Sequence, residues 1–408
     1  MSCPLGDKKG RSADSSDLTR LHRETADLAA YISYTELDDN KKLKEQISED
    51  SNFSLTRGGL TLLANSTIGF TRNPVTGEIV YRPYSGQRTS SPPPTSSPIW
   101  VAGGSGINTL AYSVNGITWE PSLNGTSIIN NTYAVAWNGT LWVAGGSGTN
   151  TLAYSYDGIT WEPSSNGGTI FNEVRALAWN GTMWVAGGGS YEGITSAKLA
   201  YSYDGTTWYS SSNGNTLFDQ MVQGIGSSST LWVAVGYSTA NRITYSYDGI
   251  TWIGSPSGNA LFNGTRIARW NGTIWVAGGN GANKIAYSYD GINWTASPSG
   301  NSLFQGGEEV WALAWNGTLW VAGGGGYDPG KQRLIYSYDG INWEPSDNGD
   351  SSLFLIFVLS VAWDATMSRW VAGGQGTNTL AFSSDGITWT ASSNGNDLFD
   401  SVNTVAAK

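Results

Sequence analysis

A short string recurs along most of this chain and limits what it can become. "WVAGG" begins at Trp100, Trp142, Trp184, Trp275, Trp320 and Trp370, with "WVAVG" at Trp232, at spacings of 42, 42, 48, 43, 45 and 50 residues. Each copy is followed by a second signature such as "YSYDGITW" (Tyr154–Trp161), which recurs around Asp204, Asp248, Asp290, Asp339 and Asp385. In the first copy Asn115 stands in place of the aspartate. A unit of about 45 residues that cannot bury its apolar face alone must stack on its neighbours.

One unit, Val174 to Gln220, contains four runs rich in β-branched, aromatic and small apolar residues: "VRALAW", "MWVAGG", "KLAYSY" and "TTWYSS". Asn-Gly and Asp-Gly pairs between them favour the positive φ that two-residue hairpins need. No helical period appears in any unit. Four antiparallel strands per unit predict propeller blades, and seven copies predict an all-β, seven-bladed β-propeller over residues 99–408. The first copy lacks an innermost strand, whereas the last segment, "FDSVNTVAAK", aligns with "FNEVRALAWN" (Phe171–Asn180). The C-terminal strand is therefore expected to complete the first blade, and the chain to stop because the circle is closed.

The "SxDGxTW" signature resembles the Asp-box of sialidase-type (BNR) propellers, although every copy lacks the residue that family places between Asp and Gly. The resemblance implies a propeller and a structural Asp-box role for Asp157, Asp204, Asp248, Asp290, Asp339 and Asp385. Independently, each carboxylate can accept backbone N–H bonds across its own turn. "NGT" at Asn138, Asn180, Asn271 and Asn316 matches a glycosylation acceptor, but all four fall at one hairpin position, which favours a turn.

Strand alternation puts the "NGT" and "DG" hairpins on one rim, nearly identical in all blades. The second-to-third-strand loops and the blade links lie on the other rim and vary, which points to recognition there. The residue entering each inner strand also varies: Tyr133, Arg175, Gln223, Arg266, Trp311, Leu359, Asn403. These are expected to ring the mouth of the central channel. The candidate ligand-binding set is Trp311, Tyr133, Arg266 and Arg175 at the mouth, with Tyr191, Tyr237, Tyr327 and Arg333 on the longer loops. Exposed aromatics and amides with few charges suit stacking on sugar rings and bonding to hydroxyls.

No catalytic set is expected. The sole histidine, His22, precedes the repeats, and the propeller arginines lack the sialidase Arg-Ile-Pro context. Glu308 and Glu309 are adjacent on a strand, so their side chains diverge and make a poor acid/base pair. No phosphate-binding or dinucleotide loop is present. With one cysteine, Cys3, neither an intrachain disulfide nor a thiolate metal cluster can form, and no metal or cofactor is expected. Residues 1–99 hold 12 basic and 12 acidic residues, so the remainder holds 22 − 12 = 10 basic and 32 − 12 = 20 acidic ones. Such an acidic body repels phosphate backbones, which argues against nucleic acid. Neither a secretory signal nor a run of ~20 apolar residues appears, so no membrane insertion is expected.

The first hundred residues carry no repeat. "SSDLTRLHRETADLAAYISY" has the spacing of an amphipathic helix, "ELDDNKKLKEQISE" that of a weaker one, and "TIGFTRNPVTGEIVYRP" reads as a hairpin. Residues 1–84 are read as a mostly helical and extended docking arm, and residues 85–98 as a Ser/Pro-rich linker. The repeats also look like those in proteins of large DNA viruses and of some phage tails. That likeness implies a non-enzymatic, virion-associated structural or adhesive protein, made in a host cytoplasm. Its arm would bind other capsid proteins or copies of itself, and its head would meet surface glycans or a receptor. A cellular lectin or scaffold propeller, cytoplasmic and soluble, is the alternative, and a degenerate sialidase-like hydrolase a more distant one.

Overall fold

The computed structural model describes residues 99–408, apart from 190–195, 305 and 329, together with four short strands nearer the N-terminus. The chain divides into two compact units, Met1–Pro92 and Pro93–Lys408. In the first, Phe70–Arg72 pairs antiparallel with Ile79–Tyr81, the hairpin expected around "NPVTG". Ser54–Arg57 also pairs antiparallel with Leu60–Leu63, a pairing that sequence reading passed over. The two helices expected before residue 50 lie outside the described residues.

The second unit is a seven-bladed β-propeller. Each blade is a four-stranded antiparallel sheet, and the innermost strands, in blade order, are Ser401–Ala407, Asn131–Trp137, Val174–Trp179, Met221–Ser227, Gly264–Trp270, Glu309–Trp315 and Phe357–Asp364. The first blade joins both ends of the unit. Val402 pairs with Gly104, Val405 with Ala102 and Ala407 with Trp100, the register Val174 and Leu177 hold in their own blade.

The "WVAGG" string is a packing device. Trp and Val of each copy are buried between neighbouring sheets. The first glycine admits a β-branched residue from the next blade: a Cβ on Gly187 would stand 2.4 Å from Val222 Cγ1. The fourth blade departs from the string with Val235, and its cross-strand partner Gly224 supplies the missing room.

The turns follow the sequence reading. Asp157 Oδ1 accepts the N–H groups of Ile159 and Thr160, each at 2.8 Å, and the Ser155 hydroxyl at 3.0 Å. Asn180 Oδ1 does the same for Thr182 and Met183, at 3.0 and 2.9 Å, so the "NGT" asparagine is engaged in its turn.

A further motif, an Asn-Gly pair between blades, is a staple. The Asn124 amide donates to Trp161 O at 2.8 Å and accepts from Trp161 N at 2.9 Å. The same two-way bond joins Asn166 to Trp208, Asn213 to Trp252 and Asn348 to Trp389. Asn394 to Trp119 closes the ring, at 2.8 and 3.2 Å. At the two remaining junctions a serine hydroxyl, Ser257 or Ser299, accepts the tryptophan N–H alone.

Candidate functional site

Each innermost strand carries a β-bulge at its start. The register skips one residue between Thr132 and Ala134, Val174 and Ala176, Val222 and Gly224, Thr265 and Ile267, Val310 and Ala312, Val358 and Ser360, and Val402 and Thr404. The skipped residues are Tyr133, Arg175, Gln223, Arg266, Trp311, Leu359 and Asn403, the seven variable positions. A bulged residue is left out of the ladder and its side chain is re-aimed. Here all seven are aimed at one place, for together they line a cavity of about 300 Å³ at the channel mouth.

The mouth is organised around two stacked cations. The Arg175 guanidinium lies over the Tyr133 ring at 3.9 Å and pairs with Glu173. On the other side of the ring, Arg266 lies over Trp311 at 3.5 Å and over Tyr237 at 4.5 Å. Its partner is Glu309, at 2.7 Å, whose other oxygen accepts the Asn280 amide at 2.8 Å. Asn280 also donates to the Tyr237 hydroxyl at 2.7 Å. Trp311 continues edge-on to Phe357, and Phe357 to Tyr327, with centroids 5.9 and 5.5 Å apart. Tyr327 is 83 % exposed.

Of the expected ligand-binding residues, Tyr133, Arg175, Arg266 and Trp311 converge, and Tyr237 and Tyr327 join them through Arg266 and Phe357. Tyr191 lies outside the described residues. Arg333 is a correction. It was expected on an exposed loop, yet it is fully buried. It donates to Glu308 at 3.0 Å and to the carbonyls of Gly326, Asp328 and Leu355 at 3.0, 2.7 and 3.2 Å. Burial pushes its pKa down, and Glu308 opposes this. A guanidinium enclosed by five acceptors, the Gln332 carbonyl at 3.2 Å included, ties the long loop to its blade and offers no face to a ligand.

Stacking is also narrower than the sequence implied. One face of Tyr133 and one face of Trp311 are already covered by guanidinium groups. The polar groups at the mouth are the Gln223 and Asn403 amides and the two Arg–Glu pairs. Asn403 donates to Thr132 O at 3.0 Å and accepts the Ser401 hydroxyl at 3.3 Å. Glu309 and Asn280 are partners that sequence reading missed. Glu308 and Glu309 diverge as expected, the first to Arg333 and the second to Arg266.

Among the described residues no group of three metal-ligating side chains comes together. No helix there is long and apolar enough to cross a membrane.

No protein family matches the sequence, and neither does any curated protein. Solved structures that share the architecture include the extracellular domain of a putative hybrid two-component system from B. thetaiotaomicron. It is 11 % identical with a TM-score of 0.48, covering 71 % of this chain and 38 % of that one. A second is YCF48 bound to a D1 peptide, 16 % identical, TM-score 0.44, covering 68 % and 89 %. A third is the GH74 enzyme of Niastella koreensis, 14 % identical, TM-score 0.33, covering 72 % and 55 %. This chain therefore spans well under half of the first of these proteins. At such identities the likeness concerns the fold alone.

Proposed function

We propose that residues 99–408 form a non-enzymatic recognition head whose ligand seats at the channel mouth, and that residues 1–84 attach it to a larger assembly. In its fullest form the reading is a virion-associated adhesive protein that meets surface glycans. The observation that carries the head's role is the convergence of seven bulged, mutually dissimilar residues on one cavity, in a ring whose other inner positions are mostly small or aliphatic. Charged pairs and amides spaced around a shallow aromatic mouth suit hydroxyl-rich ligands, since each Arg–Glu pair offers donors and acceptors side by side. The adjacent carboxylates Glu308 and Glu309 are committed to Arg333 and Arg266, which supports binding without turnover.

The test is a glycan array probed with multivalent protein, because single weak sites adhere only when many are displayed. Gln223→Ala removes one amide, worth about 1 kcal/mol or roughly fivefold in affinity, and Trp311→Ala removes an aromatic wall. Both are expected to lose signal, whereas Asn180→Ala on the opposite rim keeps it. A parent protein that binds no glycan sinks the lectin part and leaves protein docking as the mouth's role. Residues 1–84 are tested by whether the chain lacking them still co-purifies with particles.

A further inference from the structure

Three residues past the bulge, the inner strands carry Ala406, Ala136, Ala178, Gly226, Arg269, Ala314 and Ala362, each opposite a valine of the second strand. Six blades therefore put a methyl group or less at this level, and one puts a guanidinium there. Gly226 on the neighbouring strand leaves the space: a Cβ on it would meet Ala268 O at 2.6 Å and Trp275 at 2.9 Å.

Arg269 lines the same cavity as the mouth residues. Its Nη1 donates to Ile225 O at 2.8 Å and to Ala268 O at 3.1 Å. Among the described residues no carboxylate pairs with it, the mouth glutamates being taken by Arg175 and Arg266. Burial without a counter-charge pushes its pKa down to about 10, so it is still a cation at neutral pH. A guanidinium has five donors, and those on Nε and Nη2 have no protein acceptor among the described residues. The side chain is half-buried, so these donors face the water of the channel and are open to an anion.

We propose that the channel binds a small monoanion at Arg269, held by the Nε and Nη2 donors roughly 10 Å below the ring of bulged residues, three strand residues down. The fork of donors matches a carboxylate in two-point fashion, and a halide fits it as a point charge. The anion is either a free ion or the acidic group of a ligand that enters by the mouth. This inference is independent of the glycan reading.

The experiment compares thermal unfolding of the full chain in sodium formate, sodium bromide and the sodium salt of a bulky sulfonate too wide for the channel, at equal ionic strength. Formate and bromide are expected to raise Tm in a saturating manner relative to the sulfonate, as binding to the native state alone requires. Arg269→Gln should abolish that difference, and Arg269→Lys should keep part of it. Stabilisation by formate alone assigns the site to carboxylates, and stabilisation by both assigns it to small anions generally. If Arg269→Gln does not fold, bromide-soaked parent crystals replace it, and an anomalous peak beside the guanidinium is expected. Equal Tm in all three salts, an undiminished difference in Arg269→Gln, or, where bromide stabilises the parent, a channel without bromide overturns the proposal.

Discussion

Asp290 shows how one side chain sets a local structure and its response to acid. Desolvation pushes its pKa up, but the N–H groups of Asn293 and Ile292, the Asn293 amide and the Ser288 hydroxyl outweigh it and hold the carboxyl at about 2. Asp248, Asp339 and Asp385 are lowered against desolvation by the same kinds of bond. A carboxylate whose folded pKa lies below the unfolded value of about 4 contributes stability that is fully present above pH ~4 and lost as pH falls toward ~2. The first blade supplies a neutral equivalent. Asn115 Oδ1 accepts Ile117 N and Thr118 N at 2.8 and 2.9 Å without titrating. Replacing the four aspartates by asparagine is therefore expected to preserve the fold and flatten the fall in unfolding free energy between pH 4 and 2. Denaturant titrations across that range check it, and an unchanged acid slope would refute it.

At the scale of elements, the blade junctions rest on the amide staples as much as on apolar packing. Asn394 joins the last blade to the first, so Asn394→Ala removes two backbone bonds at the point where the ring closes. A cost of about 1–3 kcal/mol is expected from the two groups left unmet. Asn394→Ser should recover part of it, because Ser257 and Ser299 already accept the corresponding N–H elsewhere in the ring. Equal urea midpoints for parent and Asn394→Ala would remove the staple from the account. Strand order, hairpin turns and the closing pair were legible in the sequence because each depends on local periodicity and turn chemistry repeated seven times. The staple was not, since Asn-Gly looks like an ordinary turn until its partner 37 to 42 residues away is known. Arg333 misled for the opposite reason: a charged residue at a loop end looks exposed, and only tertiary packing brings Glu308 and three carbonyls around it. Arg269 was legible in principle, as the residue that replaces alanine in the aligned "AWNGT" copies, but its lack of a counter-charge was not.

At the scale of the whole molecule, the propeller is held as a circle, and its most sensitive segment is short. Ser401–Ala407 pairs with Trp100–Ser105, and Val402 and Val405 belong to the same buried cluster as Trp100 and Trp119. Deleting residues 401–408 exposes that cluster and opens the ring, so a loss of several kcal/mol is expected from a total of about 5–15. Calorimetry should show the entire propeller melting earlier in one transition; a melting temperature within a degree or two of the parent would contradict the closure. The bulges have a different consequence at this scale. Because each mouth residue stands outside the ladder, its identity is uncoupled from the pairing that holds the blade. The scaffold is thus an evolvable platform, in which the seven mouth codons can be randomised together while the sheets beneath them keep their register, and binders to unrelated targets can be selected from one unchanged frame.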